Sequence, residues 1–194
     1  MPARSPRYMK DRREQIVSAT INCLENLGLA QTSLSDVCTA GEISRGALYV
    51  HFARKDELLE AVIQRLGEES FARISFESVE SFQNSLEAEL KLMVAPSRSG
   101  LANIELDLLA VSRKNERLRC EMGKAVARRF ERLRTGLQGL GDAGLLRPGV
   151  DATVAARAID AFLVGTVTGA ITQRPAATTL KSLRLILASV FRTY

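Results

Sequence analysis

Residues 32–62 read TSLSDVCTAGEISRGALYVHFARKDELLEAV, a proline-free stretch in which helix caps and apolar residues follow one another at short intervals. Thr32 and Ser33 are both good N-cap residues, because a side-chain oxygen there can accept a hydrogen bond from a backbone N–H of the first turn. Asp36 lies in that first turn, where a negative charge is favoured by the helix dipole. The pattern predicts a short helix that ends near residues 40–41.

A second short helix is predicted over the run SRGALYVHF, which begins at the N-cap candidate Ser44. At 100° per residue, Leu48 and Phe52 point towards a core, and Gly46 and Val50 point to the opposite side. A glycine in a helix costs about 1 kcal/mol relative to alanine, and a close approach of the backbone to a ligand would explain its presence. Two short helices joined by a tight turn are typical of a helix-turn-helix, whose later helix enters the major groove of DNA.

The polar residues of the second helix suit the same interpretation. Tyr49 and His51 can donate hydrogen bonds to phosphate oxygens, and Arg45 can reach either a guanine edge or a phosphate. Lys55 follows at the start of the next helix. The alternative is a surface turn with incidental polar residues, and these nine residues alone leave it open.

The whole segment 32–62 resembles the DNA-binding segment of the TetR family of bacterial transcriptional regulators. The matching features are the threonine at the second helix, the inward Asp-Val pair, the run Ser-Arg-Gly-Ala-Leu-Tyr, the closing His-Phe and the Lys-Asp-Glu-Leu-Leu that follows. The resemblance implies that one group of residues holds the DNA backbone: Thr32, Ser33, Tyr49, His51 and Lys55. It implies that a second group lies near base edges, beside the N-cap Ser44: Ser35, Arg45, Gly46, Ala47 and Val50.

The turn between the two short helices departs from the family pattern. The turn glycine that is usual in the family falls at Glu42 in this sequence, and Gly41 comes one residue early. Either Glu42 adopts the left-handed turn conformation, or the turn is rearranged around Gly41.

Composition fits a globular all-α protein. Of its 194 residues, 46% are hydrophobic and 25% are charged, and the chain has five prolines and no tryptophan. The formal net charge is +5, and residues 4–13 form a basic leading arm. The three cysteines are widely spaced and predict small buried residues in a reducing cytoplasm: Cys23, Cys38 and Cys120. The longest uncharged run, residues 161–173, is shorter than the ~20 residues that span a membrane, so we expect no membrane segment and no export. Nothing in the pattern predicts a metal or a cofactor.

The remaining chain predicts a series of helices. A long helix over residues 56–74 would link an N-terminal head to a body, and helices over 82–93, 101–112, 118–140, 152–172 and 178–191 would follow, with the arginines of 118–140 pointing outward. The fold class is therefore all-α. We expect a three-helix DNA-binding domain over residues 1–54 and a helical regulatory domain over residues 55–194 that binds a ligand and dimerises.

A stripe of mostly small residues marks the penultimate helix and permits close helix approach. With the last helix it predicts half of a four-helix homodimer interface, although an ordinary intramolecular core would explain the same pattern. The interface candidates are Ala158, Phe162, Gly165, Thr166, Gly169, Leu183, Leu187 and Val190.

The large body also predicts a site for an apolar or amphipathic small molecule. Methionine suits a surface that adapts to ligand shape, although each candidate also fits a plain core position. The candidate lining is Phe82, Leu86, Met93, Leu109, Met122 and Phe130.

An enzyme is a much weaker interpretation than a binding protein. The single histidine, His51, follows Ser44 by seven residues on one helix, and at ~1.5 Å per residue the two are about 10 Å apart. This distance is too long for a serine nucleophile and its histidine base. We expect a homodimeric repressor that binds a palindromic operator in double-stranded DNA and is released by a small-molecule inducer. The alternative is a ligand-independent, nucleoid-type DNA-binding protein, for which a body of this size has no obvious use.

Overall fold

The structure, a computed structural model, describes residues 5–95, 99–171 and 175–192. Within these residues the chain forms nine α-helices, and its β-structure is a single antiparallel bridge between Leu146 and Phe191. The all-α prediction is confirmed. The helices are α1 (Pro6–Leu27), α2 (Leu34–Ala40), α3 (Arg45–His51), α4 (Lys55–Glu69), α5 (Val79–Met93), α6 (Ser99–Ser112), α7 (Glu116–Asp142), α8 (Ala152–Ile171) and α9 (Ala176–Val190).

The helices are grouped in two compact units. Unit 1 comprises Met1–Leu66 with Asn103–Gly123, and unit 2 comprises Gly67–Ala102 with Lys124–Tyr194. The division falls inside α4, α6 and α7, so these helices contribute residues to both units. The functional division into a DNA-binding domain over 1–54 and a regulatory domain over 55–194 stays a prediction.

Unit 1 has an apolar core that fixes the two short helices. Ile16 of α1, Val37 of α2, Leu48 of α3 and Val62 of α4 are all at most 1% exposed. Helices as short as α2 and α3, with seven residues each, are not stable by themselves, so they depend on packing within unit 1, where α1 packs on α2 and α2 packs on α3.

Unit 2 is organised around Phe82 of α5, which is fully buried. Its ring stacks on Phe76 with a centroid distance of 5.2 Å and meets Phe191 edge-on at 5.6 Å. Helices α5, α8 and α9 surround this cluster. The stretch Ala152–Gly169 of α8 is long and apolar enough to cross a membrane, but half of it is buried inside the protein, as in an ordinary core helix.

The start of α1 had no prediction, and the end of α4 is the helix end that differs most from its predicted position. α1 begins at Pro6, with Ser5 as its N-cap, so most of the basic leading arm is helical. α4 ends at Glu69 and not at residue 74, because Phe71 has a left-handed backbone conformation (φ 59°) that no helix can continue through. The predicted break at residues 96–100 lies partly outside the described residues.

Two side chains also lie where the sequence did not place them. Cys120 is exposed, whereas Cys23 and Cys38 are buried as predicted. Arg129 of α7 does not point outward: its Nε donates to an Asp160 carboxylate oxygen of α8 at 2.8 Å, and both side chains are only 11% exposed. A charged side chain on a helix is normally expected to face solvent. Arg129 faces inward because its partner Asp160, 31 residues away in the sequence, is also buried.

Candidate nucleic-acid interface

Helix α2 starts with a reciprocal capping box. The backbone N–H of Asp36 donates to the Ser33 hydroxyl oxygen at 3.2 Å, and the backbone N–H of Ser33 donates to the Asp36 carboxylate at 2.8 Å. The Ser33 hydroxyl donates to the same carboxylate at 2.6 Å. These hydrogen bonds hold the pKa of Asp36 below its ordinary value. Ser33, and not Thr32, is therefore the cap, and its hydroxyl is already engaged within the protein.

Helix α3 is held by its cap and by two anchors. The Ala47 N–H donates to the Ser44 hydroxyl oxygen at 3.1 Å. Leu48 is 1% exposed and Phe52 is 2% exposed, so both fill the core as predicted. The guanidinium of Arg13 in α1 lies 5.0 Å from the centre of the Phe52 ring. The inner face of α3 is thus fixed at both ends.

The outer face of α3 is open and small. Tyr49 is 55% exposed and Val50 is 62% exposed. Arg45 and Gly46 are also exposed, and a Cβ added at Gly46 would meet no atom within 4 Å. Because no described residue requires a glycine at position 46, its lack of a side chain fits contact with a partner outside the chain.

The turn before α3 uses the first of the two predicted arrangements. Glu42 has a φ of 49°, in the left-handed region that normally favours glycine, whereas Gly41 has an ordinary φ of −91°. Gly41 is required for space, since a Cβ there would lie 2.7 Å from the Ile43 side chain and 3.0 Å from Cβ of Ala19. The Gln15 side-chain amide donates to the Gly41 carbonyl at 2.9 Å and ties the turn to α1.

Lys55 and Thr32 form an internal tie at the edge of this surface. The Lys55 ammonium donates to the Thr32 carbonyl oxygen at 2.8 Å, which leaves two of its three protons for another acceptor. Thr32 is only 4% exposed, and its hydroxyl donates to the Gly28 carbonyl at 2.8 Å. The Thr32 side chain therefore lies inside unit 1, and its hydroxyl cannot donate to DNA in this conformation.

The other predicted DNA-binding residues lie on accessible parts of unit 1. Ser33, Ser35 and Ser44 are exposed, and Ala47 is half-buried. His51 is half-buried as a residue, but its Nε2 atom is buried and does not reach the surface. Sequence reasoning missed the contributions of Gln15 and Arg13 to positioning, because both contacts join residues that are far apart in the chain. No local signal could have shown them.

The predicted ligand-binding residues are not a single cluster. Phe82 and Leu86 are fully buried in the core of unit 2, and Met93 and Phe130 are half-buried against it. Leu109 and Met122 belong to unit 1, and Leu109 is 50% exposed. Phe82 and Leu86 are core side chains, and a ligand site lined by the six residues stays a prediction.

The predicted dimer residues divide between the inside and the outside of unit 2. Four of them are at most 5% exposed and belong to the chain's own core, where a second copy cannot reach them: Thr166, Leu183, Leu187 and Val190. Gly169 is also buried, Phe162 is half-buried, and Ala158 and Gly165 are exposed. The structure adds three exposed apolar side chains that the sequence analysis did not select: Val154, Val164 and Leu185.

Comparisons with known proteins agree with this geometry. The family model for bacterial regulatory proteins of the tetR family matches residues 16–62. The nucleoid occlusion factor SlmA of Vibrio cholerae is 30% identical over 166 residues, which cover 83% of this chain and 82% of that protein. A TetR transcription regulator from Haloarcula marismortui has the same fold with a TM-score of 0.80, at 20% identity, over 94% of this chain and all of that one. A complex of SmeT with triclosan has a TM-score of 0.75 at 23% identity, over 94% and 92% of the two chains.

The all-α fold and the exposed, capped helix α3 that follows α2 after a tight turn define the class of helix-turn-helix DNA-binding regulators. The chain belongs to the TetR family of bacterial regulatory proteins. It is a transcriptional regulator, and the family consists of regulators and not of enzymes.

Proposed function

We propose that the protein is a cytoplasmic homodimeric repressor that binds a palindromic operator with α3 and is released from it by a small apolar or amphipathic molecule. The observation that carries the DNA-binding part is the outer face of α3. It is exposed, it has no side chain at Gly46, and the buried Leu48 and Phe52 hold it rigidly. A rigid, small-surfaced helix can lie close to base edges.

The exposed residues suggest a division of roles. Arg45, at the first position of α3, is suited to a bidentate contact with a guanine, and Ala47 and Val50 are suited to contact with thymine methyl groups. Tyr49 can donate to phosphates, as can the two remaining protons of Lys55. Base reading would then be concentrated at Arg45.

Replacing Arg45 with alanine should reduce the discrimination between operator and random DNA by about 1–3 kcal/mol, because a bidentate base contact is lost. Lys55→Ala should instead weaken binding to all sequences and lower the salt slope by about one. Fluorescence anisotropy with both DNAs at several salt concentrations measures these effects. Arg73→Ala, which removes one exposed positive charge from unit 2 outside α8 and α9, is the control and should change neither quantity. Unchanged discrimination in Arg45→Ala would assign recognition to Ala47, Val50 or DNA shape.

A palindromic operator requires two copies of α3, and the exposed face of α8 is suited to join two chains. Val154, Ala158, Ala161 and Gly165 recur at helical spacing and are all exposed, and Val154 is 67% exposed. Leu185 of α9 is 74% exposed. Exposed apolar side chains next to small ones on a regular helix face are typical of a helix–helix interface between subunits.

The inducer part of the proposal has one alternative, a DNA-binding protein that does not respond to a ligand. The SmeT neighbour was solved with triclosan, an apolar small molecule, which supports a ligand in this fold. A relative that matches most of the chain is a nucleoid occlusion factor, which supports the alternative of a nucleoid-type DNA-binding protein.

Linkage distinguishes the two candidates. If a ligand lowers operator affinity by some factor, the operator must lower ligand affinity by the same factor, typically about 5–150-fold. Calorimetric titration of each ligand found in a library screen, with and without saturating operator, measures this factor. Equal ligand affinities in both titrations would retain the DNA-binding dimer and favour the ligand-independent candidate.

A further inference from the structure

Unit 2 has an open groove of about 540 Å³ along α7. Because the groove is wide open, a small molecule bound in it would be covered by the protein on one side and by solvent on the other. Its lining residues are Phe76, Arg128, Glu131, Arg132, Thr135 and Gly136. None of them belongs to the helix-turn-helix or to the six predicted ligand-binding residues, so the groove is a separate feature of the molecule.

The apolar wall of the groove is rigid. Phe76 stacks on the fully buried Phe82, which fixes the ring from the core side. Gly136 allows the ring to lie directly against α7, since a Cβ at that position would overlap the ring carbons of Phe76. Phe76 is half-buried, so part of the ring remains accessible from the groove.

The charged residues of the groove leave an excess of positive charge. Glu131 is already paired with Arg134, which donates to it through Nε at 2.9 Å and through a second nitrogen, and this pairing holds the pKa of Glu131 below its ordinary value. Arg132 donates to the backbone carbonyl of Ala72 at 3.1 Å, which fixes its guanidinium beside the groove.

The excess positive charge of the groove comes from Arg128. Among the described residues, its guanidinium has no hydrogen-bonded or ion-paired partner, and it lies beside Gly67, where the missing side chain leaves room. A planar guanidinium with free donors binds a carboxylate through two parallel hydrogen bonds. Thr135 also lines the groove, on the same helix α7 and two turns after Arg128.

We propose that this groove binds a planar aromatic carboxylate, with the ring of the ligand against Phe76 and its carboxylate on Arg128. The positive excess selects an anion, and the fixed aromatic wall selects a flat ring over an aliphatic chain. The proposal does not rest on operator binding or on release by an inducer, because it concerns unit 2 alone.

The test is calorimetric titration of the full-length protein with cinnamate, with its neutral analogue cinnamyl alcohol, and with inorganic phosphate. Cinnamate should bind one site per chain, and cinnamyl alcohol should bind roughly tenfold more weakly, because a hydrogen bond to a charged group is lost. Phosphate, which has no ring, should show no saturable binding in the same concentration range.

Variants locate the site. Arg128→Gln should weaken cinnamate about tenfold and leave cinnamyl alcohol unchanged. The matched control is Arg119→Gln, an exposed arginine of the same helix in unit 1, and it should bind cinnamate like the unaltered protein. Thermal unfolding followed by circular dichroism checks that both variants are folded, as expected for exposed positions.

Equal affinities for cinnamate and its alcohol would overturn the proposal, as would unchanged cinnamate binding in Arg128→Gln or no saturable binding at all. Cinnamate bound elsewhere in the molecule would leave its affinity for Arg128→Gln unchanged, and this outcome is one of those that overturn the proposal. A groove that binds cinnamate without altering operator affinity would leave this proposal intact while removing cinnamate as an inducer.

Discussion

Replacing Gly165 with arginine should convert the dimer into monomers that remain folded. Gly165 lies on the exposed face of α8, and a Cβ there meets no atom of the described residues within 4 Å. Arginine is a better helix former than glycine by roughly 0.5–1 kcal/mol, so the isolated chain should be no less stable. In a close helix–helix interface, however, the guanidinium would be buried without a partner. Such a charge costs about 3–5 kcal/mol, which weakens association by at least about 100-fold.

Sedimentation velocity over a range of protein concentrations measures the association directly. Gly139→Arg is the matched control, because Gly139 of α7 is also an exposed helical glycine whose added Cβ meets no atom within 4 Å. The control should stay dimeric. A Gly165→Arg protein that sediments as a dimer would place the interface on another face of the protein.

Replacing Asp160 with alanine should destabilise the protein by about 3–5 kcal/mol, because it removes one member of a buried ion pair. The two side chains are only 11% exposed, and the Nε–Oδ1 distance is 2.8 Å. The ring of Phe71, whose centre lies 5.7 Å from the guanidinium carbon, cannot replace a full negative charge. Urea unfolding followed by circular dichroism gives the free energy of unfolding.

Two comparisons test the reason for this loss. Arg119→Ala removes an exposed ion pair on the same helix, with side chains 61% and 88% exposed, and should cost less than about 1 kcal/mol. Replacing both Arg129 and Asp160 with methionine and leucine should restore most of the lost stability, since an apolar pair of similar volume carries no buried charge. A loss below about 1 kcal/mol in Asp160→Ala would show that Arg129 reaches solvent or another partner.

The sequence was most informative where structure depends on neighbouring residues. The caps Ser33 and Ser44, and the inward positions Leu48 and Phe52, follow from hydrogen bonds and helical spacing within a few residues. The resemblance to the family added the role of the outer face of α3. These features were predicted with nearly correct boundaries.

The sequence was least informative where an apolar helix face has two possible partners. Leu183 and Leu187 pack into their own chain's core, whereas Leu185 of the same helix is 74% exposed. Helical spacing identifies both faces as apolar but does not say which is covered by the same chain and which by another. The same limit applies to Arg129, whose buried partner is far away in sequence, and to the left-handed Phe71, which no local pattern marks.

The two seven-residue helices of unit 1 have a consequence for the amount of active regulator in a cell. Each is about half the length at which a helix is stable alone in water, so the outer face of α3 exists only while unit 1 is folded. An unfolded chain has then lost its ability to recognise an operator, whatever charges it retains. Occupancy of the operator therefore depends on the folding equilibrium as well as on intrinsic affinity. A loss of 1.4 kcal/mol raises the unfolded-to-folded ratio about tenfold, so destabilised variants should regulate their genes less effectively through protein turnover alone, with every residue of the outer face of α3 unchanged.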